Sequence, residues 1–314
     1  MSTETVRSPA AVGVVTEHET GGSGETALQP ARRNRLATFL FVVPAFLAQL
    51  IWGWYPLVMA FLLAFTDGRV RGAVSFTGID SYRRILADPN VGRAFGVTIQ
   101  YAALSIVLTF IIPIFVAILL MEMPRRHMRW MMLLWFLPLS PIAGAVLWRY
   151  MYNAQYGLLQ SIVTGLGLPS QPFLNSEAQV LFWLIFPGIL FFGPGLIYMA
   201  ALQSIPQSYY EAAEVEGASF WRKIWTITLP RLRPITVLML MFAIIGSLQQ
   251  FEWPLLMTGG GPNGASRTVV MYLYTGLLPQ LRYSDATALA VILFGVIMTI
   301  TILFRTFVKE DPDV

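Results

Sequence analysis

The chain has 314 residues, of which 56% are hydrophobic and 12% are charged. Soluble domains carry about a quarter charged residues, so this composition excludes an ordinary soluble domain and predicts a protein that crosses a membrane several times. The net charge of +4 then indicates membrane orientation rather than binding to nucleic acid. Since the chain has no cysteine and two histidines, it also lacks a disulfide framework and is unsuited to Cys-based or His-based metal sites.

Residues 1–31 are polar, rich in Gly, Ser, Thr and Glu, and show no hydrophobic periodicity. This composition predicts a disordered tail. Arg32, Arg33 and Arg35 stand directly before the first apolar run. Basic residues at this position predict that the tail lies in the cytoplasm.

Six apolar segments follow, and their interiors carry essentially no charge. They cover residues 36–65, 94–121, 130–150, 180–203, 235–251 and 286–304. A transmembrane helix needs about 20 apolar residues, and a lone strand would leave its backbone groups unpaired in lipid. We therefore predict an all-α, polytopic membrane protein with about six transmembrane helices, in a single domain that covers residues 32–314.

The basic residues of the loops predict the orientation. With the tail inside, twelve lie in cytoplasmic segments: Arg32, Arg33, Arg35, Arg125, Arg126, Arg129, Arg222, Lys223, Arg231, Arg233, Arg305 and Lys309. Seven lie in outer loops: Arg69, Arg71, Arg83, Arg84, Arg93, Arg267 and Arg282. This bias predicts that both termini and the segment 209–230 are cytoplasmic.

The first outer loop contains a stretch, residues 79–86, with apolar residues near helical spacing. It predicts an amphipathic helix along the outer surface, and a plain solvated loop remains an equal alternative.

The segment 209–230 is charged and helix-forming, and it lies between two apolar runs. Glu211, Ala212 and Ala213 are followed after three residues by Gly217, and nine residues later comes Ile-Thr-Leu-Pro at 227–230. The pattern predicts a short helix, a glycine break, a second amphipathic stretch, and a stop at Leu-Pro before the next span. The paired alanines leave a low surface on which the groove of a partner protein can close.

A polar run interrupts the fifth apolar segment. Its members are Ser247, Gln249, Gln250, Phe251, Glu252 and Trp253. Amide, hydroxyl and carboxylate groups interleaved with aromatic rings suit a sugar site, and polar groups at membrane depth face a bundle interior or a water-filled cavity. Hydrogen bonds between helices, or anchoring at the outer interface, explain the same residues equally well.

The sequence Thr-Gly-Gly-Gly-Pro at 258–262 opens the last outer loop and is typical of a turn. It is a poor phosphate-binding loop, because no lysine follows it. The only lysines are Lys223 and Lys309, and neither follows a glycine-rich turn between a strand and a helix. If ATP drives this protein, another chain must bind it.

The spacing within 209–230 resembles the cytoplasmic coupling motif of binding-protein-dependent ABC importers. Within that family, the chain is most similar to carbohydrate-uptake permeases of the maltose-transporter type. Gly78, Asp80 and Tyr82 match a pattern that is frequent in the first outer loop of these permeases. Residues 258–262 match an element that lies near their docked binding protein. Relatives commonly have Asp-Gly-Ala where this chain has Glu-Gly-Ala at 216–218, a change that keeps the charge.

The resemblance implies a type I ABC importer permease fold in a bacterial plasma membrane. It implies that Glu211, Ala212, Ala213 and Gly217 dock onto a cytoplasmic ATPase dimer that carries ATP and magnesium, so that this chain binds no cofactor and is not an enzyme. It further implies a second similar permease, an extracytoplasmic solute-binding protein and a sugar substrate, with the run 247–253 in the place of the sugar site.

Alternatives remain open at this point. A permease for glycerol phosphate or another polar solute has the same architecture, but a phosphorylated solute needs basic residues along the path, so we expect a neutral saccharide. An ion-coupled transporter usually needs a carboxylate or histidine near the midplane, and the acidic residues here fall in loops or at the ends of spans. An intramembrane enzyme has the least support, because no catalytic motif is present.

Overall fold

The computed structural model describes residues 35–68, 75–135, 141–190 and 195–307. The tail expected at 1–31 lies outside these residues and stays a prediction. The chain divides into two compact units, Met1–Tyr55 and Pro56–Val314.

Helices make up nearly all of the described residues. In the first unit, α1 covers Arg35–Gln49 and is followed by a π-helical turn at Leu50–Trp54. Helix α2, Tyr55–Leu63, begins at the boundary of the second unit. The remaining helices are α3 Asp80–Ala87, α4 Pro89–Thr109, α5 Ile111–Met121, α6 Arg125–Trp135, α7 Pro141–Met151, α8 Leu158–Gly165, α9 Val180–Leu190, α10 Gly195–Gln203, α11 Gln207–Val215, α12 Phe220–Lys223, α13 Leu229–Leu248, α14 Glu252–Thr258, α15 Val269–Tyr272 and α16 Tyr283–Phe307.

The all-α prediction is confirmed. Within the described ranges, the only β pairing is an isolated antiparallel bridge between Thr66 and Phe76. Four of the described helical runs are long and apolar enough to cross a membrane: Val42–Leu63, Pro89–Met121, Phe220–Leu248 and Tyr283–Thr306. These correspond to the first, second, fifth and sixth predicted spans.

The third and fourth predicted spans are each divided between two shorter helices. The third includes the end of α6 and most of α7, and the fourth includes α9 and α10. In both cases, the residues between the two helices lie outside the described ranges. The count of about six spans therefore rests on four continuous helical runs and on two segments of which the structure describes only parts.

Buried side chains form separate clusters toward the two ends of the helical run Pro89–Met121. At its start, Val91 and Ala94 pack with Val269 and Leu289, which joins α4 to α15 and α16. At its end, a second cluster joins α5 to α10 and α13, with members that include Ile114, Tyr198, Met199, Leu202, Ile224 and Leu232. Close van der Waals contacts between these side chains hold the helices together, since lipid is as apolar as the side chains and supplies no hydrophobic driving force.

Large apolar side chains on the outside of the second unit remain exposed. Val107 on α4, Phe242 on α13 and Ile302 on α16 are 68%, 55% and 55% exposed. Surfaces of this kind are unfavourable in water and suit contact with lipid.

The surface helix predicted at 79–86 is present as α3, so the alternative of a plain loop is wrong. Ser81 and Ile85 are buried on one face of this helix. Arg84 donates from Nη2 to Asp285 Oδ1 at 2.7 Å, which joins α3 to the start of α16.

The predicted stop at Leu229 and Pro230 is wrong. The helix runs without a break from Phe220 to Leu248. Its residues 224–228 form a π-helical turn, in which the Leu229 N–H donates to the Ile224 carbonyl five residues earlier. Pro230 follows this turn directly and has no N–H to donate, so the helical run continues past it with one backbone hydrogen bond fewer.

Candidate functional site

Helix α11 contains the Glu-Ala-Ala part of the predicted coupling motif. It has no buried residue, and Glu211 and Ala212 are exposed while Ala213 is half-buried. The two alanines therefore present a low, accessible face beside a carboxylate. A helix with this face is able to lie in the groove of a partner protein.

Gly217 ends α11. Its φ is +75°, in the left-handed region that favours glycine. The Gly217 N–H donates to the Glu214 carbonyl at 2.9 Å, and the Ala218 N–H donates to the Ala213 carbonyl at 2.9 Å. This pair of hydrogen bonds is a Schellman motif, so the predicted glycine break is confirmed as a helix end rather than a flexible bend.

Three side-chain contacts attach α11 to the helix Phe220–Leu248. Lys223 Nζ donates to Glu214 Oε1 at 2.7 Å. The Tyr210 hydroxyl is 3.0 Å from Thr228 Oγ1. The third contact is a cation–π pair, in which the Arg231 guanidinium lies 4.4 Å from the centre of the Tyr209 ring.

No local pattern in the sequence predicts these contacts. Glu214 and Lys223 are nine residues apart and lie on opposite sides of the turn at Gly217. Helical pairs are recognised at separations of three or four residues, so the spacing gave no signal.

A cavity of about 770 Å³ lies between α11 and the neighbouring helices. Its wall combines the charged side chains of Glu122, Arg129, Glu214 and Lys223 with Met121 and Met128, among others. The open space means that α11 is held to the membrane helices chiefly by the contacts above rather than by close packing on all sides.

The polar run 247–253 was predicted to lie within one apolar span. In the structure it is divided between two helices. Helix α13 ends at Leu248, residues 249–251 are not helical, and α14 begins at Glu252. Phe251 has φ −140° and ψ −49°, which takes its N–H out of the helical hydrogen-bond ladder.

This break separates the six candidate substrate residues by environment. Ser247 is buried, 9% exposed, in the last turn of α13. Gln249 and Glu252 are exposed. The Gln250 carbonyl accepts a hydrogen bond from Thr268 Oγ1 at 2.7 Å.

The two aromatic candidates have different neighbours. Phe251 lies edge-on to Tyr274, with 5.1 Å between the ring centroids. Trp253 packs against the cluster that contains Trp148 and Met257. Gln249, Glu252 and the Phe251 ring are therefore the members of the run that are most available to a solute.

The residues 258–262 form the predicted turn. Thr258 ends α14, and Gly259 follows with φ +61°. Hydrogen bonds hold the turn from inside, since Thr258 Oγ1 lies 2.7 Å from Ser266 Oγ, and Ser266 Oγ donates to the Gly261 carbonyl at 2.7 Å.

The coupling helix and this turn lie at opposite ends of the helical run Pro89–Met121. Ile118 and Met121 line the cavity beside α11, whereas Asn90 and Arg93 lie beside the turn. A helix of 33 residues is about 50 Å long, which exceeds the thickness of the hydrocarbon core of a bilayer, about 30 Å. The two sites therefore lie toward opposite ends of a helical run that is long enough to cross a membrane.

Residues 102–309 match the family model described as "Binding-protein-dependent transport system inner membrane component". The sulfoquinovosyl glycerol transport system permease protein SmoG of Agrobacterium fabrum is 31% identical, over 88% of this chain and 91% of that protein. The arabinooligosaccharides transport system permease protein AraP of Bacillus subtilis is 28% identical, over 86% and 88%.

The fold is similar to that of a chain in the crystal structure of a bacterial ABC transporter involved in the import of the acidic polysaccharide alginate. The TM-score is 0.77 at 23% identity, over 87% of this chain and 94% of that one. The predicted permease fold is thus confirmed, and the chain is a multi-pass transport subunit of an ABC importer and not an enzyme. Because the family model covers more than half of the sequence, the chain belongs to the inner membrane components of binding-protein-dependent transport systems.

Proposed function

We propose that the chain is one of two similar permease subunits of an ATP-driven saccharide importer in a bacterial plasma membrane, with both termini in the cytoplasm. One observation carries this proposal. The continuous helix Phe220–Leu248 starts at the coupling loop and ends at the polar run 247–253. A force applied to α11 therefore reaches the candidate substrate residues through one continuous helical run.

The coupling step places an ATPase dimer against residues 211–217 of this chain and against the matching loop of the second permease. ATP and magnesium belong to the ATPase, and this chain supplies only the exposed face of α11. Closure of the ATPase on ATP moves α11, and the Glu214–Lys223 and Tyr210–Thr228 contacts carry the movement into Phe220–Leu248. Coupling of this kind requires two global states with different contacts at the loop.

The solute side lies at the other end of the helices, where a solute-binding protein delivers its ligand. Gln249 and Glu252 offer polar groups for sugar hydroxyls, and the Phe251 ring offers an apolar face. The names of two relatives, which refer to a sugar glycerol conjugate and to oligosaccharides, support a saccharide over an ion. A permease for glycerol phosphate is the second candidate within the same architecture.

ATPase activity of the purified transporter in nanodiscs tests the proposal. The chain is co-expressed with its genomic neighbours and assayed with and without the binding protein and a panel of sugars. We expect stimulation that needs both the binding protein and one sugar, and we expect Glu211→Lys to abolish it while the permease stays in the membrane. The matched control is Asp80→Lys, which makes the same charge reversal at an exposed position on α3, outside the coupling loop. This variant should leave the ATPase attached and its basal activity intact.

Two results would contradict the proposal. If no ATPase copurifies and uptake into vesicles follows an ion gradient, the chain is a secondary transporter. If Glu211→Lys supports normal sugar-stimulated hydrolysis, α11 is not the coupling element.

A further inference from the structure

A second cavity, of about 300 Å³, lies at the end of the molecule away from the coupling loop. It is enclosed by the first turns of α4 and by the loop that follows α14. Its polar and glycine lining comes from Asn90, Arg93, Gly260, Asn263, Gly264 and Arg267, among others. The two arginines are distant in the sequence and meet only in this cavity.

Neither arginine has a carboxylate partner in the described part of the chain. The ion pairs within those residues involve Arg83, Arg84, Lys223 and Arg282, and none involves Arg93 or Arg267. Among the described residues, Arg267 Nε is shielded from solvent without a hydrogen-bond acceptor. A buried guanidinium N–H without an acceptor is costly, so the cavity lacks one acceptor group.

The acidic residues near the cavity are engaged elsewhere. Asp88 accepts from the Tyr272 hydroxyl at 2.6 Å and from the Asn90 N–H at 3.0 Å. Glu177 accepts from Asn263 Nδ2. The chain therefore supplies no counter-ion to the two guanidinium groups from its described residues.

Two glycines with positive φ keep the space beside each guanidinium open. At Gly260, with φ +88°, an added Cβ would lie 3.4 Å from Arg267 Nε. At Gly264, with φ +79°, an added Cβ would lie 3.9 Å from Arg93 Cζ. Because these glycines have no side chain, the backbone of the loop lies close to both guanidinium groups.

We propose that this cavity binds an oxyanion, namely a carboxylate, sulfonate or phosphate group. Guanidinium groups bind such groups through paired, charge-assisted hydrogen bonds, and Arg93 and Arg267 both line the cavity. The volume lies at the lower end of the range for small-ligand sites, about 300 to 1,000 Å³. The site goes beyond the proposed function and does not depend on the coupling loop or on the direction of transport.

The same chemistry has two sources, the acidic group of a soluble saccharide and the phosphate of a lipid headgroup. Modification of arginine by phenylglyoxal, read out residue by residue by mass spectrometry, distinguishes them in the complete transporter. The protein is placed in nanodiscs of phosphatidylcholine alone, and glucuronate, inorganic phosphate or glucose is added. A parallel sample contains phosphatidylglycerol and no soluble anion.

We expect glucuronate or phosphate to slow modification of Arg93 and Arg267 several-fold, while glucose has no effect. The internal control is Arg83, which is exposed and only 3.9 Å from the Asp80 carboxylate, and its modification should not change. Protection in the phosphatidylglycerol sample without soluble anion identifies the headgroup as the source. Protection only by soluble anions identifies a solute.

The variant Arg93→Gln should weaken protection of Arg267 about tenfold in anion concentration, because one of the two guanidinium groups is lost. Arg83→Gln should leave it unchanged. The proposal is wrong if none of the anions slows modification at Arg93 or Arg267, or if Arg83 is slowed to the same extent. Neither readout uses ATP hydrolysis or transport, so failure here is distinct from failure of the proposed function.

Discussion

Lys223 Nζ lies 2.7 Å from Glu214 Oε1, and this ion pair closes the coupling loop across the turn at Gly217. Glu214 belongs to the last turn of α11, and its backbone carbonyl accepts the Gly217 N–H. One residue therefore takes part in both the helix end and the attachment to the next helix. The two contacts together fix the position of the end of α11 relative to the next helix, which the proposed coupling role requires.

Replacement of Gly217 tests the importance of its backbone conformation. A Cβ at this position would meet no atom within 4 Å, so any cost comes from the positive φ alone. We expect Gly217→Val to destabilise the loop by about 1–2 kcal/mol and to reduce copurification with the ATPase. Gly217→Asn should retain most of the stability and most of the copurification, because asparagine tolerates the left-handed backbone conformation. The control is Gly246→Ala, at a helical glycine where an added Cβ meets no atom within 4 Å. Equal melting temperatures for Gly217→Val and Gly217→Asn would disprove the role of φ.

The Glu214–Lys223 pair is tested by reversing its charges. Glu214→Lys places two cations together and should raise hydrogen exchange in α11 and lower sugar-stimulated ATPase activity. Adding Lys223→Glu restores opposite charges and should recover both. Asp80→Lys, a charge reversal at an exposed position outside residues 211–217, is the control. A double variant no better than the single one would show that the pair itself does not matter.

Two adjacent arginines on α3 should behave differently. Arg84 donates twice to Asp285 Oδ1, whose side chain is 6% exposed, whereas the Arg83–Asp80 pair is 3.9 Å long and exposed. We expect Arg84→Gln to lower the free energy of unfolding by about 1–2 kcal/mol, because Arg84 is half-exposed and Asp285 keeps its hydrogen bond from Arg282. Arg83→Gln should cost about 0–0.5 kcal/mol. Thermal unfolding of the two variants makes the comparison, and equal losses would contradict it.

The contact between Asp88 and Tyr272 predicts a pH dependence outside the spans. Burial raises the pKa of Asp88, but hydrogen bonds from the Tyr272 hydroxyl and from Asn90 outweigh it and lower the pKa. A lowered carboxyl pKa stabilises the folded state above the unfolded value, about 3.9, and the contribution is lost as pH falls through the folded pKa.

Protection factors of the α15 amides, which correct for the intrinsic pH dependence of exchange, should therefore be constant from neutral pH down to about pH 5 and fall below about pH 4. Tyr272→Phe removes one hydrogen bond and leaves the burial, so the folded pKa of Asp88 should rise toward the unfolded value and the loss of protection at low pH should become smaller. Tyr283→Phe provides a control at the start of α16. An equally large loss in Tyr272→Phe would show that this hydrogen bond does not set the pKa.

The break after α13 leads to a prediction about the solute. Gln249 is exposed and Ser247 is buried, so Gln249→Ala should raise the KM of sugar uptake several-fold, while Ser247→Ala should change it little. Uptake into proteoliposomes at varied sugar concentration measures the difference. A larger effect at Ser247 would indicate that the path lies on the other side of α13.

Local features of the sequence were sufficient for much of the fold. The apolar length of the spans predicts helices because unpaired backbone groups are excluded from lipid, and four long helical runs lie where the sequence placed them. The end of α11 at Gly217 was predictable because a left-handed cap is a property of a few adjacent residues. The predicted stop at Leu229 and Pro230 was wrong because a π-helical turn precedes them and the helix continues. The polar run 247–253 was wrongly assigned to a single span because α13 ends at Leu248.

The sequence by itself determined the helical class, the positions of the spans and the candidate coupling segment, since these depend on composition and on short spacings. Only the tertiary structure decided that Glu214 meets Lys223 across a turn, and that Arg93 and Arg267 share a cavity. Contacts between residues far apart in the chain depend on how the helices pack. Packing is the sum of many weak, non-directional interactions, which no single stretch of sequence encodes.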